Sequence, residues 1–278
     1  MTQIKTELDE LLNINKAENT DKLNDFLEVN TTKNPAKIGK LQSQISGTIH
    51  SKHAAVLIQG KIIDSNNKSR DSKQKVIGLY RFASATAIIE SNIKKDDPFA
   101  DFIFYHLHEE IILARKELKE KLSYFKNWIK DSVPKNLSLS DAINLVPLKM
   151  EFKFNSVLAF QLTYLILELD EYFTLIKLAQ HIALVDSVQS NTMINDNMRT
   201  ARRMMNIVYQ YKHSNATRND AASNNQVWQR ACESMPTIVL SEEFLTGEKR
   251  SALAPFIATR PEHQSKDDVE IPKSVEVM

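Results

Sequence analysis

Between Leu41 and His50, uncharged hydrogen-bonding side chains fall on every second residue: Gln42, Gln44, Ser46, Thr48 and His50 alternate with Leu41, Ser43, Ile45, Gly47 and Ile49. A period of two is the pattern of a half-buried strand, with the first set together on its outer face. Gln pairs bidentately with adenine, and Ser or Thr bonds to several bases, so this face suits base edges in a major groove. Cations follow it. Lys52, Lys61, Lys68, Arg70, Lys73, Lys75 and Arg81 stand against Asp64 and Asp71, a local charge of +5 in a chain of net charge +1. A second island over residues 199–230 also carries +5. Stepped at 100° per residue, Arg199, Arg202, Arg203, Asn206, Gln210 and His213 lie within about 100° of one another, opposite Ala201, Met204, Met205, Val208 and Tyr211. One side packs, and the other either meets phosphate or is a solvated stripe.

Other chemistry has weaker support. There is no glycine-rich phosphate loop and no Gly-x-Ser-x-Gly elbow. His106 and His108, two apart on a predicted helix, point about 160° from each other and cannot share a metal, so both read as surface or partner-facing. The single cysteine, Cys232, excludes an internal disulfide and reads as a buried core thiol in a reducing cytoplasm. Glu151 and Lys153, on one face of a predicted strand, match the Glu-x-Lys pattern of metal-dependent nucleases if Asp131 or Asp141 completes the site. Charge alternation on an exposed sheet face explains the pair equally well. No cofactor, metal or enzymatic activity is expected.

The elements that must position these residues are mostly helical. Five Gly and eight Pro leave few tight turns, and 42% apolar residues in a chain of 278 suffice for a core, so the expected class is α+β and helix-rich. Residues 1–40 read as a helical arm and polar linker. Residues 41–95 read as strand, short helix 53–59 ended by Gly60, exposed basic loop 61–75 and helix 76–93. Residues 96–258 read as a helical body. In it Asp97 caps a helix with Pro98 at its first position, a hairpin spans about 147–167 with its turn at Asn155-Ser156, and a helix follows over 170–187. Thr217 or Asn219 is the expected cap of a helix reaching Cys232, and 259–278 reads as a disordered acidic tail. No apolar run approaches the roughly 20 residues of a membrane span, and the start of the chain is polar, so a soluble cytoplasmic protein is expected.

Several blocks resemble the AcaB-like family of transcriptional regulators, which includes integrating conjugative element proteins. They are residues 41–53, Asp96-Asp97-Pro98-Phe99-Ala100-Asp101, residues 178–186, residues 209–218 and Arg250-Ser251-Ala252-Leu253-Ala254-Pro255-Phe256, in the expected order. The resemblance implies a sequence-specific activator of conjugative transfer genes, borne on a plasmid or integrative element, with a likeness to ribbon-helix-helix factors. In such a factor, strands from two chains pair into a ribbon that enters the major groove while helix N-termini hold phosphates. The implied partners are double-stranded DNA, a second copy in a homodimer, and RNA polymerase or another regulator. The basic loop at 61–75 departs from the motif, which has a tight turn there. It adds Lys68, Arg70, Lys73 and Lys75 as phosphate contacts beside Lys52 and Arg81. A second reading, of a different class, is an interaction module of the conjugation machinery whose basic islands dock acidic protein surfaces.

Overall fold

A cap residue, then an apolar period of three and four, starts most of the helices. The computed structural model describes residues 45–60, 77–140 and 144–258. Of the two units into which the chain divides, 1–44 and 45–278, all described residues belong to the second. The expectations for the N-terminal arm, Leu41 to Gln44 (with Gln42 and Gln44), the loop cations Lys68, Arg70, Lys73 and Lys75, and the tail lie outside the described residues.

Strand β1 (Ser46–Ile49) is followed by α1 (Lys52–Gln59), where Ser51 Oγ accepts the Ala54 N–H at 3.1 Å and Gly60, at φ 73°, ends the helix. Helix α2 (Leu79–Ile93) begins at Gly78. A Cβ on Gly78 would stand 2.5 Å from the Gly60 nitrogen, so the backbones flanking residues 61–76 touch and only glycine fits. Helix α3 (Pro98–Ser132) starts as its sequence requires. Asp97 accepts the N–H groups of Phe99 and Ala100 at 2.9 and 3.2 Å, and Pro98 holds the first position. Its inner stripe, from Phe99, Ile103 and Leu107 through Leu118 and Leu122 to Phe125 and Ile129, faces the core.

The expected hairpin is corrected here. Strand β2 (Leu148–Glu151) forms, but residues 157–167 belong to helix α4 (Val157–His181), which also absorbs most of the helix expected over 170–187. A run of apolar residues without alternation suits a buried helix as well as a buried strand, and its partners decide. Ser156 Oγ accepts the Ala159 N–H at 3.3 Å and donates to Glu90 Oε1 at 2.7 Å, and that oxygen also accepts the Val157 N–H at 3.0 Å. Glu90, buried on α2, therefore fixes the start of α4 from 66 residues upstream. With Leu158, Leu162, Leu165, Ile166, Leu169 and Phe173 buried, α4 is the central helix of the packing.

β2 pairs antiparallel with β1 instead, in the register Ser46↔Glu151, Gly47↔Met150, Thr48↔Lys149 and Ile49↔Leu148. A strand expected to need a second chain thus has one edge satisfied within its own. Helix α5 (Ser187–Asn206) carries a capping box between Asp186 and Gln189 and runs into a 3₁₀ turn (Ile207–Gln210). The helix expected to reach Cys232 is two: α6 (Arg218–Ser223), capped by Thr217, and α7 (Gln226–Ser234), capped by Asn225 after a left-handed Asn224. A short α8 (Glu242–Thr246) follows. One hydrophobic cluster runs from Ile49 to Ile238, so the strand-helix region and the helical body share a core. Two single-residue expectations fail. Cys232 is exposed, and His108 is buried with Nδ1 2.9 Å from Ser251 Oγ.

The C-terminal segment is clamped to the start of α3 by charge. Asp101 is fully buried, and its Oδ2 accepts Arg218 Nη2 at 2.8 Å and Arg250 Nε at 2.6 Å. Arg218 also reaches Asp96 Oδ1 and the Phe244 carbonyl, and Arg250 reaches the Pro255 carbonyl. Nearby, the Tyr211 hydroxyl donates to Asp97 Oδ2 at 2.7 Å. Burial pushes the Tyr211 phenol far above its ordinary value, so it remains the donor. Three of the blocks that carry the family resemblance, 96–101, 209–218 and 250–256, therefore meet at one place.

Removing one member of a buried charge cluster strands the others, so Asp101→Ala should lower the unfolding free energy by about 3 to 5 kcal/mol in denaturant titration. His108 contributes to the pH dependence, since burial pushes its imidazole below the ordinary 6.5 against an opposing pull from Glu109, and His53, also lowered by burial, acts in the same direction. A histidine held neutral in the fold contributes stability fully present above its unfolded value and lost as pH falls through the folded value. The unfolding free energy should therefore drop as pH is lowered from neutrality through 6.5, and His108→Gln should flatten that slope. Glu90 and Asp97, held above the usual carboxylate range chiefly by burial, act in the opposite sense at lower pH. Subtracting the variant's profile from the parent's at each pH isolates the histidine.

Candidate nucleic-acid interface

β1 lies with its apolar residues inward: Ile49 is buried and Gly47 half-buried, while Ser46 and Thr48 are exposed. A Cβ on Gly47 would come within 2.7 Å of the Phe152 ring, so the strand sits tightly on the core. The outer face of the two-stranded sheet also takes Lys149 and Glu151 from β2, both exposed. Glu151 Oε2 accepts Lys153 Nζ at 2.9 Å. Among the described residues no group of three His, Cys, Asp or Glu stands close enough to hold a metal ion.

The junction between β1 and α1 is pinned by Asp170 of α4, which is 4% exposed. Its two carboxylate oxygens accept the backbone N–H groups of His50 and Ser51 at 2.8 and 2.7 Å. Charge-assisted bonds of this kind are about twice as strong as neutral ones, so the angle at which the strand leaves the helix is held from below. His50 itself turns sideways: its Nδ1 accepts the Asn144 N–H at 3.2 Å, and its carbonyl accepts Asn144 Nδ2 at 3.1 Å. Of the polar strand residues in the described part, Ser46 and Thr48 stay outward and His50 is engaged.

The cations divide between exposed and anchored positions. Lys52 is exposed in the first turn of α1, and Arg81 is exposed in the first turn of α2. On α5, Arg199 and Arg203 are exposed, Arg199 3.5 Å from Asp196, while Ala201, Met204 and Met205 are buried as the helical stepping requires. Gln210 and His213 leave that stripe, because α5 gives way to the 3₁₀ turn after Asn206 and the chain is extended by Tyr211. Arg202 is half-buried, and its Nε has no partner among the described residues.

α1 packs on both α4 and α5, so Lys52 and the arginines of α5 stand on neighbouring helices. His53, edge-on to Phe173 at 5.8 Å, is held below its ordinary pKa first by burial and then by the charges of Lys177 and Arg202. Lys177 Nζ in turn donates to Gln180 Oε1 and Ser190 Oγ at 2.9 and 3.2 Å. The result is a cationic shoulder around His53, made from α1, α4 and α5. Lys177 and Asp170 were absent from the sequence-level set. Both sit on a mostly apolar helix without local charge excess, and no local pattern singles them out.

Comparison with known proteins bears on this geometry. A crystal structure of selenomethionine-containing AcaB from uropathogenic E. coli has a similar fold, at TM-score 0.50 and 12% identity, covering 76% of this chain and 97% of that one. No curated protein matches the chain. The family model for transcriptional regulator AcaB matches residues 37–258, which takes in the strand, the cationic shoulder and the Asp101 clamp. The protein belongs to the AcaB family of transcriptional regulators.

Proposed function

We propose that the chain regulates transcription by binding double-stranded DNA, with the outer face of β1 toward base edges and the neighbouring cations on phosphates. The observation that carries this reading is the outward pair Ser46 and Thr48, uncharged, with Lys149 directly across from Thr48 and Lys52 exposed just beyond the strand. Phosphate contacts supply affinity and short hydroxyls read bases, which is the division of labour of a specific DNA binder. The order β1, α1, α2 is that of a ribbon-helix-helix chain, and the edge of β1 away from β2 is unpaired among the described residues. That edge supports a homodimer in which two copies of β1 meet across a twofold axis. The N-terminus of α1 is then one phosphate contact, and Arg199, Arg202 and Arg203 extend the footprint. Gln42, Gln44, Lys68, Arg70, Lys73 and Lys75 lie outside the described residues and are assigned to DNA contact from their sequence pattern alone. The family resemblance adds the biological role, activation of conjugative transfer genes on a plasmid or integrative element, together with RNA polymerase or another regulator as partner.

One observation favours the second reading, a protein-docking module. Glu151 stands directly across from Ser46, placing a carboxylate on the face that DNA would meet. Titration of a duplex from the element's own promoter, followed by fluorescence anisotropy, separates the two readings. Under the DNA reading, Thr48→Val should cost about 1 to 3 kcal/mol on the specific duplex and little on random sequence. Arg203→Ala or Lys52→Ala should weaken both duplexes alike and lower the slope of log K against log salt by about 0.9 each. Absence of binding to any duplex at low salt would leave the docking module.

A further inference from the structure

An aromatic groove opens between the C-terminal half of α3 and the N-terminal half of α5, with α4 as its floor. Its volume is about 530 Å³, within the range of roughly 300 to 1,000 Å³ usual for small-molecule sites. Phe125 and Trp128 stack at 5.3 Å, and Tyr172 meets Phe125 edge-on at 5.8 Å, so the inner wall is a rigid aromatic cluster. Val188, 73% exposed, forms the opposite lip, an apolar side chain that nothing in the described part of the chain covers.

The polar lining has one sign. Lys121 lines the groove and has neither an ion pair nor a hydrogen bond among the described residues, and no carboxylate lines it. The Tyr172 hydroxyl and the Trp128 indole N–H likewise have no partner there. Burial holds the Tyr172 phenol above its ordinary value, which keeps its proton in place for donation. Gln189 spends its amide oxygen on the Asp186 N–H in the capping box, leaving its NH₂ group as the end not so engaged. Aromatic walls with donors and a single ammonium are complementary to a flat apolar body bearing an anionic, acceptor-only head. A cationic ligand would meet the Lys121 ammonium with no carboxylate on the lining to offset the repulsion.

We infer that the groove between α3 and α5 is a binding site for an aromatic carboxylate, its ring against Phe125, Trp128 and Tyr172 and its carboxylate on Lys121. This assignment is independent of the DNA reading, since it is tested without nucleic acid. The probe is 2-naphthoate, titrated into the full chain by calorimetry beside 2-naphthalenemethanol and 2-naphthylmethylammonium, which keep the ring and change the head. The expected result is one site per chain with Kd of about 1 mM or tighter, and a preference for the acid of about tenfold over the alcohol. Lys121→Gln should abolish that preference while leaving the alcohol's affinity unchanged, and Val188→Trp should block all three. Both positions are exposed, and an unchanged thermal midpoint for each variant certifies the fold. Equal affinity for the three heads, no detectable heat from any of them, or retention of the acid's preference in Lys121→Gln would each overturn the assignment.

Discussion

Asp101 is the point on which the outer part of the molecule depends. Two arginines from distant parts of the chain, Arg218 and Arg250, converge on one carboxylate oxygen with no solvent exposure, and each carries further bonds to backbone carbonyls. Burial of three charges is costly in itself. What makes it tolerable is that the arginines are matched to acceptors and that, of the carboxylate, only Oδ1 lacks a partner among the described residues. The consequence is positional. Without this cluster the segment from residue 211 to residue 258, which has short helices and little apolar mass of its own, would have few means of choosing where on α3 to dock. With it, the Tyr211–Asp97 bond and the Trp228–Phe99 ring contact fall into place around the start of α3.

Buried carboxylates also set two other junctions, there by accepting backbone N–H groups. Glu90 sets where α4 begins, and Asp170 sets how β1 turns into α1. In each case a carboxylate on one element accepts backbone N–H groups that another element's end leaves unsatisfied. The fold is thus a set of helices whose apolar stripes supply adhesion and whose buried acids supply register. The sheet is the smallest part of it, yet its outer face is the one the regulator reading uses, and it is held by Asp170 beneath and by Phe152 against Gly47 behind.

Charge is organised on a different scale. The chain is nearly neutral, and Lys177 and Arg202 come to one place where α1 lies against α4 and α5. His53, in the field of Lys177 and Arg202, records that meeting. The aromatic groove is walled by the other end of α5, so one helix contributes to both surfaces.

Much of this was legible residue by residue. The outward alternation of Ser46 and Thr48, the Gly60 stop, the Asp97-Pro98 start and the buried face of α5 at Ala201, Met204 and Met205 follow from interactions within a turn or two of the chain, which a short window of sequence contains. The pairing of β1 with β2, the helical state of residues 157–167, the burial of His108 and the exposure of Cys232 do not. A strand's partner, a helix's cap acceptor and a histidine's neighbour are chosen by packing across 66 residues for Glu90 and Ser156, 120 for His50 and Asp170, and 143 for His108 and Ser251. The sequence by itself determined which segments can be amphipathic and where they start. Only the tertiary structure decided which faces meet, because desolvating a carboxylate or an apolar run is favourable solely when a specific distant group arrives to match it.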